Sequence, residues 1–79
     1  MSLLVQNLTK EDTFHNLDVE VGITVEDLKC LLEIESSIPV SEQAIFFRNN
    51  ELKNDAQKLT DAGVTNNDMM MLTKSTALI

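Results

Sequence analysis

Residues 24–39 read TVEDLKCLLEIESSIP, the stretch of the chain that most clearly predicts a helix. Thr24 is a favoured N-cap, and Glu26 and Asp27 place negative charge in the first turn, where the helix dipole stabilises it. Pro39 keeps the residue before it out of the helical region, so the helix must end before that point. An apolar stripe at helical spacing is formed by Val25, Leu28, Leu31 and Leu32. We therefore predict one amphipathic helix of about three turns that covers one face of a sheet.

Two strands are predicted before this helix. Leu3 and Val5 alternate with their neighbours in a first strand. A second strand, joined to the first as a hairpin, alternates through Leu17, Val19 and Val21. Phe14 is out of phase with that second set by one residue. Either a bulge near His15-Asn16 corrects the register, or Phe14 is exposed.

The pattern after the helix predicts three more strands. They are expected at 44–48, at 51–53 after a turn at Asn49-Asn50, and at 68–73, with a tight helical turn at 58–64. Leu59 and Val64 should point inward from that turn. The element order predicts an α+β fold in which a four- or five-stranded mixed sheet packs on one main helix. This is the β-grasp arrangement, and its helical crossover should be right-handed.

The third and last strands are apolar on both sides, because successive strand side chains point to opposite faces. Alternation gives four apolar pairs: Ala44 with Phe46, Ile45 with Phe47, Met69 with Met71, and Met70 with Leu72. One helix can cover only one face of the sheet. We therefore expect an exposed apolar surface, which is typical of partner-binding modules.

Composition limits the function further. The 79 residues allow one domain, and 13 acidic against 6 basic residues give a net charge of −7. The basic residues are scattered, which argues against binding to nucleic-acid phosphates or to an anionic membrane and favours a basic partner. No run approaches the ~20 apolar residues that cross a bilayer. With no signal-peptide pattern and a single cysteine, we expect a cytoplasmic domain, with the nucleus as a second compartment.

Residue types that carry chemistry are few, so we expect a domain that is not an enzyme and has no metal or cofactor. Asp61-Ala62-Gly63 lacks the hydroxyl residue of an aspartic-protease motif and is interpreted as a turn whose glycine supplies positive φ. His15 is the single histidine, and three or four closely spaced ligands would be needed for zinc. Cys30 lies among helical leucines and is expected to be a buried, inert thiol.

Several segments, taken together in order and spacing, resemble ubiquitin and ubiquitin-like domains. The likeness runs from Met1 to about Lys74, with a tail expected at 75–79. It includes Leu8-Thr9, residues 24–29, Ile38-Pro39, residues 45–47, Leu52 and residues 59–64. Within this group, residues 31–39 look most like the N-terminal domain of the DNA-damage-inducible (Ddi-type) shuttle proteins. In that family the ubiquitin-like domain precedes a retroviral-type aspartic protease domain.

The resemblance implies a non-covalent binding patch on the open sheet face. By motif match, its partner-binding residues are Leu8, Ala44, Phe46, Arg48, Asn49, Met70, Leu72 and Lys74. Phe46 and Leu72 are expected to be exposed, with Arg48, Asn49 and Lys74 at the edge. The chain contains no Gly-Gly, so it is not expected to be conjugated as ubiquitin is.

The resemblance also suggests the partners. Ubiquitin surrounds its patch with basic residues, whereas the matching sites here are Gln6, Ala44, Asn50 and Met70. This loss of positive charge favours ubiquitin itself as the partner of a monomeric domain. Docking on proteasome receptor subunits, or on another domain of the same protein to regulate its protease, remains as an alternative.

Overall fold

The structure, a computed structural model, describes residues 1–11 and 13–74. The elements follow in the order β1 (Ser2–Asn7), β2 (Thr13–Asp18), α1 (Val25–Ser36), β3 (Gln43–Phe47), β4 (Asn50–Glu51) and β5 (Asp68–Lys74). The sheet order is β2-β1-β5-β3-β4, in which β1 and β5 are parallel and the other neighbours antiparallel. The β-grasp prediction is confirmed. The predicted tail at 75–79 lies outside the described residues.

Helix α1 begins and ends where its sequence predicts. The Thr24 hydroxyl accepts a hydrogen bond from the backbone N–H of Asp27 at 3.2 Å. At the other end Ser37 adopts the left-handed conformation, with φ 63°, and donates its N–H to the Glu33 carbonyl at 2.9 Å. Val25, Leu28 and Leu32 are fully buried against the sheet. No helix among the described residues is both long enough and apolar enough to cross a membrane.

Two predictions about burial on this helix are wrong. Leu31 is 38% exposed although it was expected in the apolar stripe, because Leu28 and Leu32 already fill the contact with the sheet. Cys30 is exposed, since its side chain leaves the helix away from the sheet. The buried positions on this helix also include the stem of Lys29, whose ammonium reaches Asp55 at 3.0 Å.

The β1–β2 hairpin decides the position of Phe14. Its register is continuous from Ser2 opposite Asp18 to Asn7 opposite Thr13, so no bulge interrupts it. Phe14 is therefore 49% exposed, which selects the second of the two alternatives. The alternation predicted for the second strand is correct only in part. Val19 is buried and Leu17 is half-buried, but Val21 is 62% exposed. The chain leaves β2 at Asp18, so strand alternation no longer controls Val21.

The β3–β4 hairpin turns one residue earlier than predicted. Arg48 and Asn49 both have positive φ, 51° and 68°, as a two-residue type I′ connection requires. Phe47 therefore lies opposite Asn50, and β4 comprises Asn50–Glu51 rather than 51–53. Leu52 follows this short strand into the core.

A 3₁₀ helix, Leu59–Ala62, precedes the last strand. Gly63 ends it with φ 92°, so the predicted turn function of this glycine is confirmed. Leu59 and Val64 are buried, as expected from the sequence.

Candidate functional site

The placement of β5 is set by a clamp at its start. The Asn66 side-chain oxygen accepts a hydrogen bond from the Ser2 N–H at 2.7 Å, and the Asn67 N–H donates to the Ser2 carbonyl at 2.7 Å. These bonds place Asp68 beside Leu3 in the parallel β1–β5 register. A strand shifted by one residue would present its other face to the core, so this clamp decides which methionines are buried.

The prediction that Met70 and Leu72 are exposed is wrong. Met70 is 1% exposed and Leu72 is fully buried, and both belong to the core beneath α1. Met69 and Met71 take the other face and are 46% and 39% exposed. Both faces of this strand are apolar, so alternation alone could not choose between them. The deciding contact joins residues 64 positions apart, and no local pattern encodes it.

Strand β3 is oriented as the sequence predicts. Ile45 and Phe47 are buried in the core, while Phe46 lies half-buried on the face opposite the helix, which we call the open face. Ala44 shares the open face but is itself only 6% exposed. Phe46 pairs directly with Met71 of β5, so these two side chains are neighbours on the open face.

Leu8 lies beside β5, in the loop that follows β1. It is 52% exposed, and its N–H donates to the Leu72 carbonyl at 2.8 Å, which holds the loop against β5. The buried Asn7 side chain accepts a hydrogen bond from the Thr9 N–H at 3.0 Å and so stabilises the turn that follows. We define the apolar patch as Leu8, Phe46, Met69 and Met71.

The two predicted cationic edge residues do not lie on the open face. Lys74 is opposite Gln43, whose side chain is on the helix side, and its ammonium contacts the Glu42 carboxylate at 3.2 Å. The Arg48 guanidinium sits 5.0 Å from the centre of the Phe47 ring, which is also a core side chain. Asn49 is exposed at the tip of the hairpin, and its place at the edge of a binding patch stays a prediction.

The open face therefore carries no positive charge at its described strand positions. From the strand registers these positions are Ser2, Leu4, Gln6, Phe14, Asn16, Asp18, Ala44, Phe46, Glu51, Met69, Met71 and Thr73. The two charges among them are the carboxylates of Asp18 and Glu51. Asp18 is 3.5 Å from the amino group of Met1, whereas Glu51 lies directly opposite Phe46 and so borders the patch.

Other chemistry at this surface is limited. Within residues 1–11 and 13–74, no group of three or more side chains is arranged to hold a metal ion. The pKa of Asp68 lies below its ordinary value because its carboxylate accepts hydrogen bonds from the Thr65 backbone N–H at 2.7 Å and from the Thr65 hydroxyl at 3.0 Å. This interaction closes the turn before β5 and has a structural role. The exposed apolar side chains make this surface a candidate for contact with a partner protein.

Comparison with known proteins gives matches to one family and to several relatives. Residues 3–77 match the ubiquitin family. The chain is 37% identical over 70 residues to Protein DNA-DAMAGE INDUCIBLE 1 of Arabidopsis thaliana, and 29% identical over 73 residues to DNA damage-inducible protein 1 of Candida glabrata. These alignments cover 89% and 91% of this chain but 17% of each relative, so the chain spans a small part of their length.

A solved structure agrees with these sequence matches. The UBL domain of Plasmodium falciparum Dsk2 superposes with a TM-score of 0.87 and 31% sequence identity, and the match covers 95% of this chain and 97% of that one. The predicted likeness to ubiquitin-like and Ddi-type domains is confirmed. By the five-stranded sheet and main helix of its described residues, and by its sequence over residues 3–77, the chain belongs to the ubiquitin family.

Proposed function

We propose that this domain is a protein-interaction module that binds ubiquitin non-covalently through the apolar patch on its open face. The observation that carries the proposal is the Phe46–Met71 pair, which places an aromatic and a thioether side chain together on the face that α1 leaves uncovered. In this proposal Met69 and Met71 take the binding role that the sequence had suggested for Met70 and Leu72.

The shape and chemistry of the patch suit a reversible contact. Phe46 is a large anchor of the kind enriched at interface centres, and Met69 and Met71 have flexible side chains that adapt to a partner surface. Leu8 lies in a loop at the margin. A flat surface of a few side chains buries little area, so we expect weak affinity and fast exchange.

Charge supports ubiquitin as the partner. Lys74 and Arg48 are directed to the helix side, and Glu51 is the charge next to Phe46. The whole chain carries a net charge of −7. A partner that surrounds an apolar patch with basic residues, as ubiquitin does, would be attracted to this face and oriented on it.

The test is an NMR titration of the ¹⁵N-labelled domain with unlabelled ubiquitin. Shifts are expected on β3, on β5 and in the Leu8 loop. Phe46→Ala should weaken binding about tenfold, as for an anchor at an interface centre, while leaving the fold intact. Ile34→Ala is the matched control, because Ile34 is 78% exposed on α1 and its truncation leaves the sheet unchanged.

The outcome separates this proposal from its alternatives. Shifts on α1 instead of the sheet, or equal affinity of Phe46→Ala and the unchanged domain, would contradict it. If a proteasome receptor domain binds the same face much more tightly than ubiquitin does, receptor docking replaces ubiquitin binding. If the patch resonances of the isolated domain differ from those in the full-length protein without added partner, the patch contacts another domain of the same protein.

A further inference from the structure

One row of side chains crosses the entire open face. The pairing registers place Phe14 opposite Gln6, Gln6 beside Met71, and Met71 opposite Phe46. Glu51 lies opposite Phe46 and ends the row on β4. Residues directly paired in neighbouring strands project from the same face, so these five side chains form a continuous line.

Phe14 is the part of this row that the proposed patch does not include. It is separated from Phe46 by three interstrand spacings of about 4.8 Å each, about 14 Å in all. Phe14 is 49% exposed on a strand that otherwise presents Asn16 and Asp18 to the same face. The half-buried Gln6 and the exposed Met71 fill the space between the two rings.

Nothing in the fold requires an aromatic side chain at this position. The core is formed on the other face, and Phe14 is absent from the buried cluster and from the side chains packed against it. An exposed ring aligned with a second aromatic side chain extends the apolar surface to the outer strand of the sheet. Large exposed apolar surfaces of this kind mark contact sites.

Resting on the proposed function, we propose that Phe14 is a second anchor of the same interface, so that the bound partner covers the sheet from β2 to β3. The row also has a direction, with an aromatic ring at one end and the Glu51 carboxylate at the other. The partner that fits is a folded domain with a flat apolar face at least about 14 Å wide and a lysine or arginine at one margin.

The test measures affinity for ubiquitin by NMR titration with Phe14→Ala. Val21→Ala is the matched control, since Val21 is 62% exposed and lies outside the sheet. Phe14→Ala should weaken binding about fivefold or more, and amides of β2 in the unchanged domain should shift on titration. Phe14→Leu, which keeps an apolar contact, should restore part of the loss.

The results distinguish this inference from the proposed function. Suppose that Phe46→Ala weakens binding, that the affinity of Phe14→Ala is within twofold of the unchanged domain, and that the β2 amide resonances do not shift. The inference of a second anchor is then wrong, and the proposed binding by the apolar patch is retained. If neither phenylalanine matters, both proposals are wrong. Urea unfolding of Phe14→Ala should show that the variant is folded. If the variant is unfolded and its loss of affinity is explained by that loss of stability, a direct role of Phe14 in binding is contradicted.

Discussion

Phe46 and Met71 lie directly opposite each other on β3 and β5, on the face that α1 does not cover. Their neighbours in sequence, Ile45 and Leu72, form the equivalent pair on the core side. Each strand thus supplies one apolar residue to the core and the next to the surface. The same dipeptides that hold the fold together also supply the surface that we propose for binding.

Substitutions at Met71 and Leu72 should separate binding from stability. Leu72→Ala deletes a fully buried side chain and should cost about 2–5 kcal/mol of unfolding free energy, enough to prevent folding in a small domain. Met71→Ala removes one partner of an exposed cross-strand pair and should cost about 1 kcal/mol or less. Urea unfolding measures both, and Met71→Ala should weaken ubiquitin binding while it stays folded.

The reverse pattern would contradict the orientation of β5. If Met71→Ala unfolded the domain while Leu72→Ala were tolerated, the strand would present its other face to the core. Met69→Ala serves as a second control, because it lies on the same face as Met71 and should also be tolerated.

Ser37→Gly should stabilise the domain. Ser37 has φ 63° at the end of α1, where a residue with Cβ is strained by about 1–2 kcal/mol and glycine is not. Its side chain makes no hydrogen bond within the described residues, so the gain should approach about 1 kcal/mol after the entropy cost of glycine. Thermal or urea unfolding provides the measurement.

Ser36→Gly is the matched control and should have the opposite effect. The Ser36 hydroxyl donates to the Leu32 carbonyl and accepts the Ile38 N–H at 3.3 Å. Removing it deletes both bonds and places glycine inside the helix, with a loss of about 1 kcal/mol or more. Equal effects of the two glycines would contradict the role of backbone strain.

The lowered pKa of Asp68 should make the free energy of unfolding depend on pH in acid solution. The hydrogen bond from the Thr65 backbone N–H is the main cause that lowers the pKa of Asp68 from the ordinary aspartate value of 3.8. The hydrogen bond from the Thr65 hydroxyl lowers this pKa further. A lowered folded-state pKa gives stability that is present above pH 3.8 and is lost as pH falls through the folded value. Asp68→Asn should therefore destabilise the domain at neutral pH, with a difference that shrinks in acid.

Unfolding measured between pH 7 and pH 2 tests this dependence. Thr65→Ala removes the hydroxyl and keeps the backbone donor. Its free energy of unfolding at neutral pH should therefore lie between those of Asp68→Asn and the unchanged domain. A difference between Asp68→Asn and the unchanged domain that stayed constant into acid would show that the charge of Asp68 contributes nothing.

Glu51→Lys should weaken the proposed interaction with ubiquitin. The change reverses the charge next to Phe46 and should slow association with a basic-rimmed partner, most strongly at low salt. Glu35→Lys is the control, because it makes the same change in net charge on an exposed position of α1. Stopped-flow or NMR titration at two salt concentrations would distinguish them, and equal effects would assign the result to net charge alone.

The sequence was sufficient to predict the fold because its signals are local. The cap at Thr24, the stripe through Leu28 and Leu32, and the alternation at Leu3 and Val5 each act within one element. These signals gave the element order, and the order with a single helix left few ways to build the sheet. The small errors, such as the turn at Arg48-Asn49, are shifts of one residue at element ends.

The candidate site was predictable only in part, because alternation leaves both faces of β3 and of β5 apolar. The resemblance to ubiquitin-like domains assigned Phe46 and Leu8 to the patch, and in the structure Phe46 lies half-buried on the open face and Leu8 is exposed. The faces of β5 depend on the hydrogen bonds between Ser2 and Asn66-Asn67, which join opposite ends of the chain. Met69 and Met71 were missed for that reason.

The most direct test uses the domain labelled with ¹³C at its methionine methyl groups and titrated with unlabelled ubiquitin. On titration with ubiquitin, the methyl resonances of Met69 and Met71 should shift, whereas that of Met70 should shift little. In a separate measurement without ubiquitin, a soluble paramagnetic agent should broaden the methyl resonances of Met69 and Met71 more than that of Met70. A response of Met70 in place of Met71 would contradict the orientation of β5, and no response of any methionine would contradict ubiquitin binding at this face.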